Sequence, residues 1–240
     1  MNTIYFLDFD GVLCDSILEC FISSYIGYYH HFLKQRPVSV ELERYAQFTK
    51  LRPFIRRGAD YLLLHKMLDE RQVCECQQDF DIILQENGKE ISDTFHECFY
   101  LVREDLLSNQ HDYWLSLNKI YAPLKTAIQK WALRPDQYIL STKKAEFIKE
   151  ILIFSGIDWP LDRIIYSGTF EKNDIIVKKI QTSSAEKAFF IDDQIDHFKG
   201  INDPRIETAI AAWGYIQQDW LEGKKIPVYQ FNDLIDRLGA

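Results

Sequence analysis

The chain has 240 residues, 47% hydrophobic and 27% charged, which is enough apolar material for a sizeable core with a smaller companion domain and excludes disorder as its overall state. Asp and Glu number 36 against 28 Lys and Arg, a formal charge of −8, so long-range attraction to nucleic acid or to an anionic membrane is not expected. No apolar run approaches the roughly 20 residues of a membrane-spanning helix, the start does not read as an export signal, and five cysteines without paired spacing suit a reducing cytoplasm.

Residues 3–8 form a short, almost wholly apolar run, the signature of a strand covered on both faces. It leads into Asp8-Phe9-Asp10-Gly11-Val12-Leu13-Cys14-Asp15. From residue 16 to 112 the pattern changes, with Leu62, Leu63, Leu64, Met67 and Leu68, then Phe95, Phe99, Val102, Leu106 and Leu107, at helical spacing. A crossover between parallel strands needs only about a dozen residues. The stretch is therefore expected to be an independent all-helical insertion, joined through short hinges near residues 14–16 and 112–116.

Strand-like runs then recur. Tyr138-Ile139-Leu140 runs into Ser141-Thr142-Lys143 and a helical pattern over 143–154, and a third run covers 163–166. Lys172 precedes a helix expected over 173–181; Ala188-Phe189-Phe190-Ile191 ends in Asp192-Asp193-Gln194-Ile195-Asp196, and the run 208–212 precedes Trp213-Gly214-Tyr215, which is placed to border a site. Strands alternating with helices predict an α/β fold, a three-layer Rossmann-like core with a parallel sheet. The core is assigned to 1–15 and 113–240, the helical insertion to 16–112.

Ligands of open α/β sheets bind at the carboxyl ends of the strands. Residues two apart on an extended chain project to the same side, so Asp8 and Asp10 can converge there, while Gly11 lets the backbone turn. Two such carboxylates repel unless a cation or proton intervenes, and Mg²⁺ commonly joins carboxylates to a substrate phosphate. Read alone, the same residues also suit an acidic strand-to-helix turn with Asp15 or Ser16 as helix cap. Asp192 and Asp193 at a second strand end, the hydroxyls of Ser141 and Thr142, and Lys172 complete the components of a metal-assisted phosphate site.

This ordered set resembles the haloacid dehalogenase (HAD) superfamily, in its phosphatase branch with a helical cap inserted after the first motif, similar to phosphoglycolate phosphatases and β-phosphoglucomutases. The resemblance implies a Mg²⁺-dependent phosphatase acting on a small phosphorylated metabolite through an aspartyl-phosphate. Asp8 would be the nucleophile and Asp10 the acid and base. Ser141 and Thr142 would bind phosphoryl oxygens, their roles exchanging if the alignment shifts by one, and Lys172 would neutralise charge in preference to Lys178 or Lys179. Mg²⁺ would be held by Asp8, Asp10 and the last motif, through Asp193 or through Asp192 depending on the alignment.

In capped members the insertion chooses the leaving group. Here Leu51-Arg52-Pro53-Phe54-Ile55-Arg56-Arg57 places Arg52 and Arg56 to reach a second anionic group of the substrate, or else to form a solvated arginine face. Cys74 and Cys76 lack a second pair, and the six histidines, His197 among them, read as structural or surface residues. A mutase of the same fold, a phosphonate-cleaving enzyme using Lys34, Lys50 or Lys66, and a non-catalytic binding protein are the alternatives. Asp10 argues against a dehalogenase, and the complete motif set argues against a non-catalytic role.

Overall fold

The two hydrophobic patterns of the sequence become two separate units in the computed structural model, Ser16–Asn118 and Met1–Asp15 with Lys119–Ala240. The structure describes residues 2–35, 42–168, 170–222 and 226–239.

The first unit is helical. It comprises α1 (Ile17–Ile26), which runs on into a π-helical stretch at Gly27–Phe32, then α2 (Leu42–Leu51), α3 (Asp60–Asp69), α4 (Gln77–Asn109) and α5 (His111–Ser116). Helix α4 is broken at Gly88, whose φ of +72° is open to glycine at little cost. Residues 36–41 of this span lie outside the described residues.

The expected insertion boundary at 112 falls short, because residues 112–116 lie within α5 instead of forming a hinge. Trp114 and Leu115 of that helix are buried, and the indole N–H of Trp114 donates to Glu19 Oε1 at 3.1 Å, tying α5 to α1. Glu19 is wholly buried and also accepts two hydrogen bonds from Arg103 on α4, at 2.8 and 2.5 Å, and one from Ser23 at 2.7 Å. A carboxylate sequestered this deeply costs free energy unless its lone pairs are filled, and here three helices fill them.

His65 of α3 is likewise fully buried, among the rings of Phe21, Tyr25, Tyr28 and Phe48, with Nε2 2.9 Å from Ser24 Oγ. Burial, reinforced by the charge of Arg44, pushes its pKa down from 6.5 to about 3. Between those two values the unfolded chain binds a proton that the folded chain refuses, so stability falls as pH drops through that window. The slope is about 1.4 kcal/mol per pH unit. His65→Gln is expected to remove about 2 kcal/mol of the stability difference between pH 6.5 and pH 4.5, since the unfolded imidazole is only half protonated at the upper value. Urea titrations of both proteins at the two pH values measure it, and an unchanged difference would show that His65 titrates freely in the folded chain.

The second unit is the α/β core. Its strands are β1 (Thr3–Leu7), β2 (Cys14–Asp15), β3 (Lys119–Ile120), β4 (Gln137–Ser141), β5 (Ile164–Tyr166), β6 (Lys187–Asp192), β7 (Ile206–Ala211) and β8 (Val228–Tyr229). The helices are α6 (Lys125–Trp131), α7 (Ala145–Phe154), α8 (Lys172–Thr182) and α9 (Phe231–Leu238). Six strands form one sheet in the order β5-β4-β1-β6-β7-β8, and every adjacent pair is parallel. Each apolar run of the sequence analysis is a strand, and β8 is an addition of two residues with no comparable signal.

On one face Ile4 and Phe6 of β1, Leu140 of β4, Phe190 of β6 and Ile210 of β7 pack with Ile176 and Ile180 of α8. Phe6 and Phe190, both fully buried, contribute about 2 to 3 kcal/mol each. The short strands β2 and β3 form a separate antiparallel ribbon, pairing Asp15 with Lys119, through which the chain enters and leaves the helical unit.

Candidate active site

Register brings the first acids together. Leu7 pairs with Ile191, so the next residue on each strand, Asp8 and Asp192, lie side by side beyond the last pair, and Asp8 N donates to Ile191 O at 3.0 Å. Leu7 also pairs with Ile139, which sets Ser141 just past the same edge on the opposite side of β1. The carboxyl end of the central strand is thus flanked by β4 and β6.

Lys172, the first residue of α8, is 3% exposed and donates from Nζ to Asp8 Oδ1 at 2.8 Å and to Asp192 Oδ2 at 2.7 Å. Lys179, by contrast, lies over the Tyr138 ring, 4.4 Å from its centre. Burial raises the Asp8 carboxyl above its ordinary value and the charge of Asp192 adds to this, while Lys172 opposes it. Burial alone would raise Asp192 too, yet His197 and Lys172 outweigh it and hold that carboxyl well below the usual range. Lys172 is destabilised as a cation by burial but is held above its ordinary value by Asp192 and Asp8.

Among the described residues the fold gathers Asp8, Asp192 and Asp193 so that one carboxylate oxygen from each lies within 4.8 Å of the others. All three are buried. With histidine counted neutral, three carboxylates against the single ammonium of Lys172 leave two negative charges, the charge that a divalent cation supplies. The donor set is all oxygen, the preference of Mg²⁺.

The two acids of the last motif are used differently. Asp192 accepts from Lys172 and from His197 Nδ1 at 2.8 Å on Oδ2, and from Gln194 N at 2.8 Å on Oδ1. Asp193 accepts from Tyr215 N at 2.7 Å on Oδ2. Gly11, with φ of +86°, leaves room for that carboxylate: a Cβ there would fall 2.0 Å from Asp193 Oδ2.

Asp10 stands apart from the triad and pairs with Lys143 Nζ at 2.8 Å. Lys143 is 2% exposed, and sequence reasoning gave it no role although it sits directly in the Ser141-Thr142-Lys143 run. Ser141 is buried, its Oγ accepting Lys143 N at 3.3 Å. Thr142 lies between them, half-buried.

His197, read with the other histidines as structural or surface, bonds directly to Asp192. Its position one after Asp196, in a short helical turn at Ile195–Phe198, offers no ligand spacing to read in the sequence. In the helical unit, Arg56 pairs with Asp81 at 2.7 Å, and Arg52 is buried with its guanidinium 5.3 Å from the centre of the Tyr61 ring.

Solved structures share this arrangement of elements over nearly the whole chain. A haloacid dehalogenase-like hydrolase from Streptococcus pneumoniae matches with a TM-score of 0.60 at 14% identity, covering 99% of this chain and 98% of its own. The chain has the HAD-like fold. A predicted phosphoglycolate phosphatase from Haemophilus somnus carries the same HAD-like fold, with a TM-score of 0.63 at 12% identity over 98% of this chain and 97% of its own. So does protein tyrosine kinase A of Mycobacterium tuberculosis, with a TM-score of 0.53 at 16% identity over 100% and 99%. No family model and no curated protein sequence matches the chain. One HAD-like fold therefore spans proteins named for hydrolysis and for phosphoryl transfer, and the activity of this one must be argued from its site.

Proposed function

We propose that the protein is a Mg²⁺-dependent phosphatase that hydrolyses a small phosphorylated metabolite through an aspartyl-phosphate on Asp8. The observation that carries this reading is the Lys172 ammonium bound between Asp8 and Asp192, beside Asp193, at the carboxyl end of the central strand. The same strand end offers a nucleophile, a cation to hold it, and an anionic pocket of the charge a divalent ion neutralises.

Asp8 and Asp193 would hold Mg²⁺ together with the backbone carbonyl of Asp10, while Asp192, which accepts from Lys172, His197 and Gln194, would orient the lysine. When bound, Mg²⁺ offsets the repulsion between the Asp8 carboxylate and the phosphate dianion. A carboxylate oxygen of Asp8 would attack phosphorus as the bond to the leaving oxygen breaks, and Asp10 would deliver a proton to that oxygen. Asp10 then takes a proton from water as the water oxygen attacks phosphorus, releasing inorganic phosphate and restoring the Asp8 carboxylate. Ser141 and the Thr142 N–H bind the non-reacting phosphoryl oxygens, and Lys172 neutralises their charge; donors already in place cost no reorganisation at the moment of reaction.

Substrate choice we assign to the helical unit. Phosphoglycolate-like and sugar phosphates are the first class to test, in keeping with the family resemblance and with the name of the Haemophilus somnus neighbour. The net charge of −8 favours a small-molecule substrate over nucleic acid, and no helix among the described residues is long and apolar enough to cross a membrane. The cytoplasm, where such metabolites are found, is the proposed location.

The test is phosphate release from p-nitrophenyl phosphate with Mg²⁺ and with EDTA. Turnover is expected with Mg²⁺, falling at least about a hundredfold on chelation and recovering when Mg²⁺ is restored. Undiminished turnover in EDTA would sink the metal assignment, and movement of phosphate between two metabolites without release to water would identify a mutase instead.

A further inference from the structure

Three residues after β7 fasten three different parts of the core together. Trp213 donates its indole N–H to Val12 O at 3.0 Å and stacks on Phe231, ring centres 4.4 Å apart at 27°. Gly214 passes so close to the last acidic motif that a Cβ would lie 2.3 Å from Asp193 Cβ and 2.7 Å from Gly11 O. Tyr215 then uses both its ends: its backbone N–H donates to Asp193 Oδ2 at 2.7 Å, and its phenol donates to Asp15 Oδ1 at 2.8 Å. Asp15 belongs to the β2–β3 ribbon, where it pairs with Lys119.

We infer that Tyr215 is a positioning residue, tying Asp193 to the ribbon at Asp15 and so fixing the direction in which Asp193 presents its carboxylate to a divalent cation. The inference rests on the metal reading above and adds to it a determinant outside the acidic motifs. A carboxylate on a turn after a strand has two side-chain torsions to fix. The Tyr215 N–H fixes one oxygen, the close passage of Gly214 blocks rotation on one side, and the phenol keeps the loop from lifting away. Groups that orient a metal ligand in this way govern affinity nearly as strongly as the ligand itself, typically by 10- to 100-fold.

Calorimetric titration of Mg²⁺ into the purified full chain, without substrate, measures this directly. Tyr215→Phe deletes the hydroxyl and keeps the ring and the backbone N–H. It is expected to raise the Mg²⁺ Kd about tenfold. In the p-nitrophenyl phosphate assay the corresponding loss disappears at saturating Mg²⁺, with KM for the ester unchanged. Asp15→Ala should weaken Mg²⁺ equally, the Tyr215→Phe/Asp15→Ala double variant should be no weaker than either, and Asp15→Asn, whose amide oxygen still accepts, should bind like the unaltered chain.

Tyr215→Phe binding Mg²⁺ as tightly as the unaltered chain, with its circular dichroism and melting intact, would overturn the positioning role, and so would additive losses in the double variant. If Tyr215→Phe does not fold, Asp15→Ala and Asp15→Asn decide by the same comparison. Absence of Mg²⁺ binding by the unaltered chain would overturn the metal reading itself, a result visible before any variant is made.

Discussion

Asp8→Asn is expected to lower Mg²⁺-dependent phosphate release by at least about a thousandfold while leaving the melting temperature unchanged or higher. The amide matches the carboxylate in size, and its oxygen can still accept from Lys172, whose Nζ lies 2.8 Å from Asp8 Oδ1. What it lacks is the anionic nucleophile. The stability half of the expectation follows from sign: burial and Asp192 raise the Asp8 carboxyl above its unfolded value, so at neutral pH its charge opposes folding. Asparagine removes that charge. Loss of activity with retained or increased stability separates a chemical role from a structural one, whereas activity within tenfold of the original would remove Asp8 as nucleophile.

The second large effect is on stability and lies in the helical unit. Glu19→Ala is expected to destabilise that unit by about 3 to 5 kcal/mol, because it strands the Arg103 guanidinium in a site where arginine and glutamate side chains are 3% and 0% exposed. Trp114 and Ser23 lose their acceptor at the same stroke. Arg103→Met alone should cost a similar amount by leaving Glu19 unpaired, whereas Glu19→Met with Arg103→Met should recover most of the loss, since an apolar pair needs no compensation. Trp114 is the only one of the five tryptophans between residues 16 and 118, so the part of the fluorescence change in urea titrations that Trp114→Phe removes reports the loosening of α1, α4 and α5. Equal losses in the single and double variants would show that side-chain volume, not charge compensation, sets the stability.

The strands were legible because a buried parallel strand must be apolar on both faces. Ile4 and Phe6 pack on one side of β1, and Leu7 is buried as well. The acids at the strand ends were legible for the complementary reason, that charge directly after such a run is costly without a purpose. Lys143 was not, because it acts through a contact with Asp10 from a different strand end, and His197 was not, because the irregular turn that folds it back onto Asp192 follows no helical or strand period. The end of the insertion was misplaced for a similar reason: α5 belongs to the helical unit through the bond from Trp114 to Glu19, 95 residues earlier in the chain. β8, at two residues, is too short to carry a pattern.

The position of β1 in the sheet has a consequence for how the chain is made. It lies between β4 and β6, so the strand synthesised first has hydrogen-bonding partners that begin only at Gln137 and Lys187. At about 5 to 20 residues per second, Ile4-Tyr5-Phe6-Leu7 waits on the order of ten seconds after leaving the ribosome before either neighbour exists. In that interval the helical span between them can fold on contacts among its own elements, while the strand that will occupy the middle of the sheet remains the longest exposed to water and to misplaced partners.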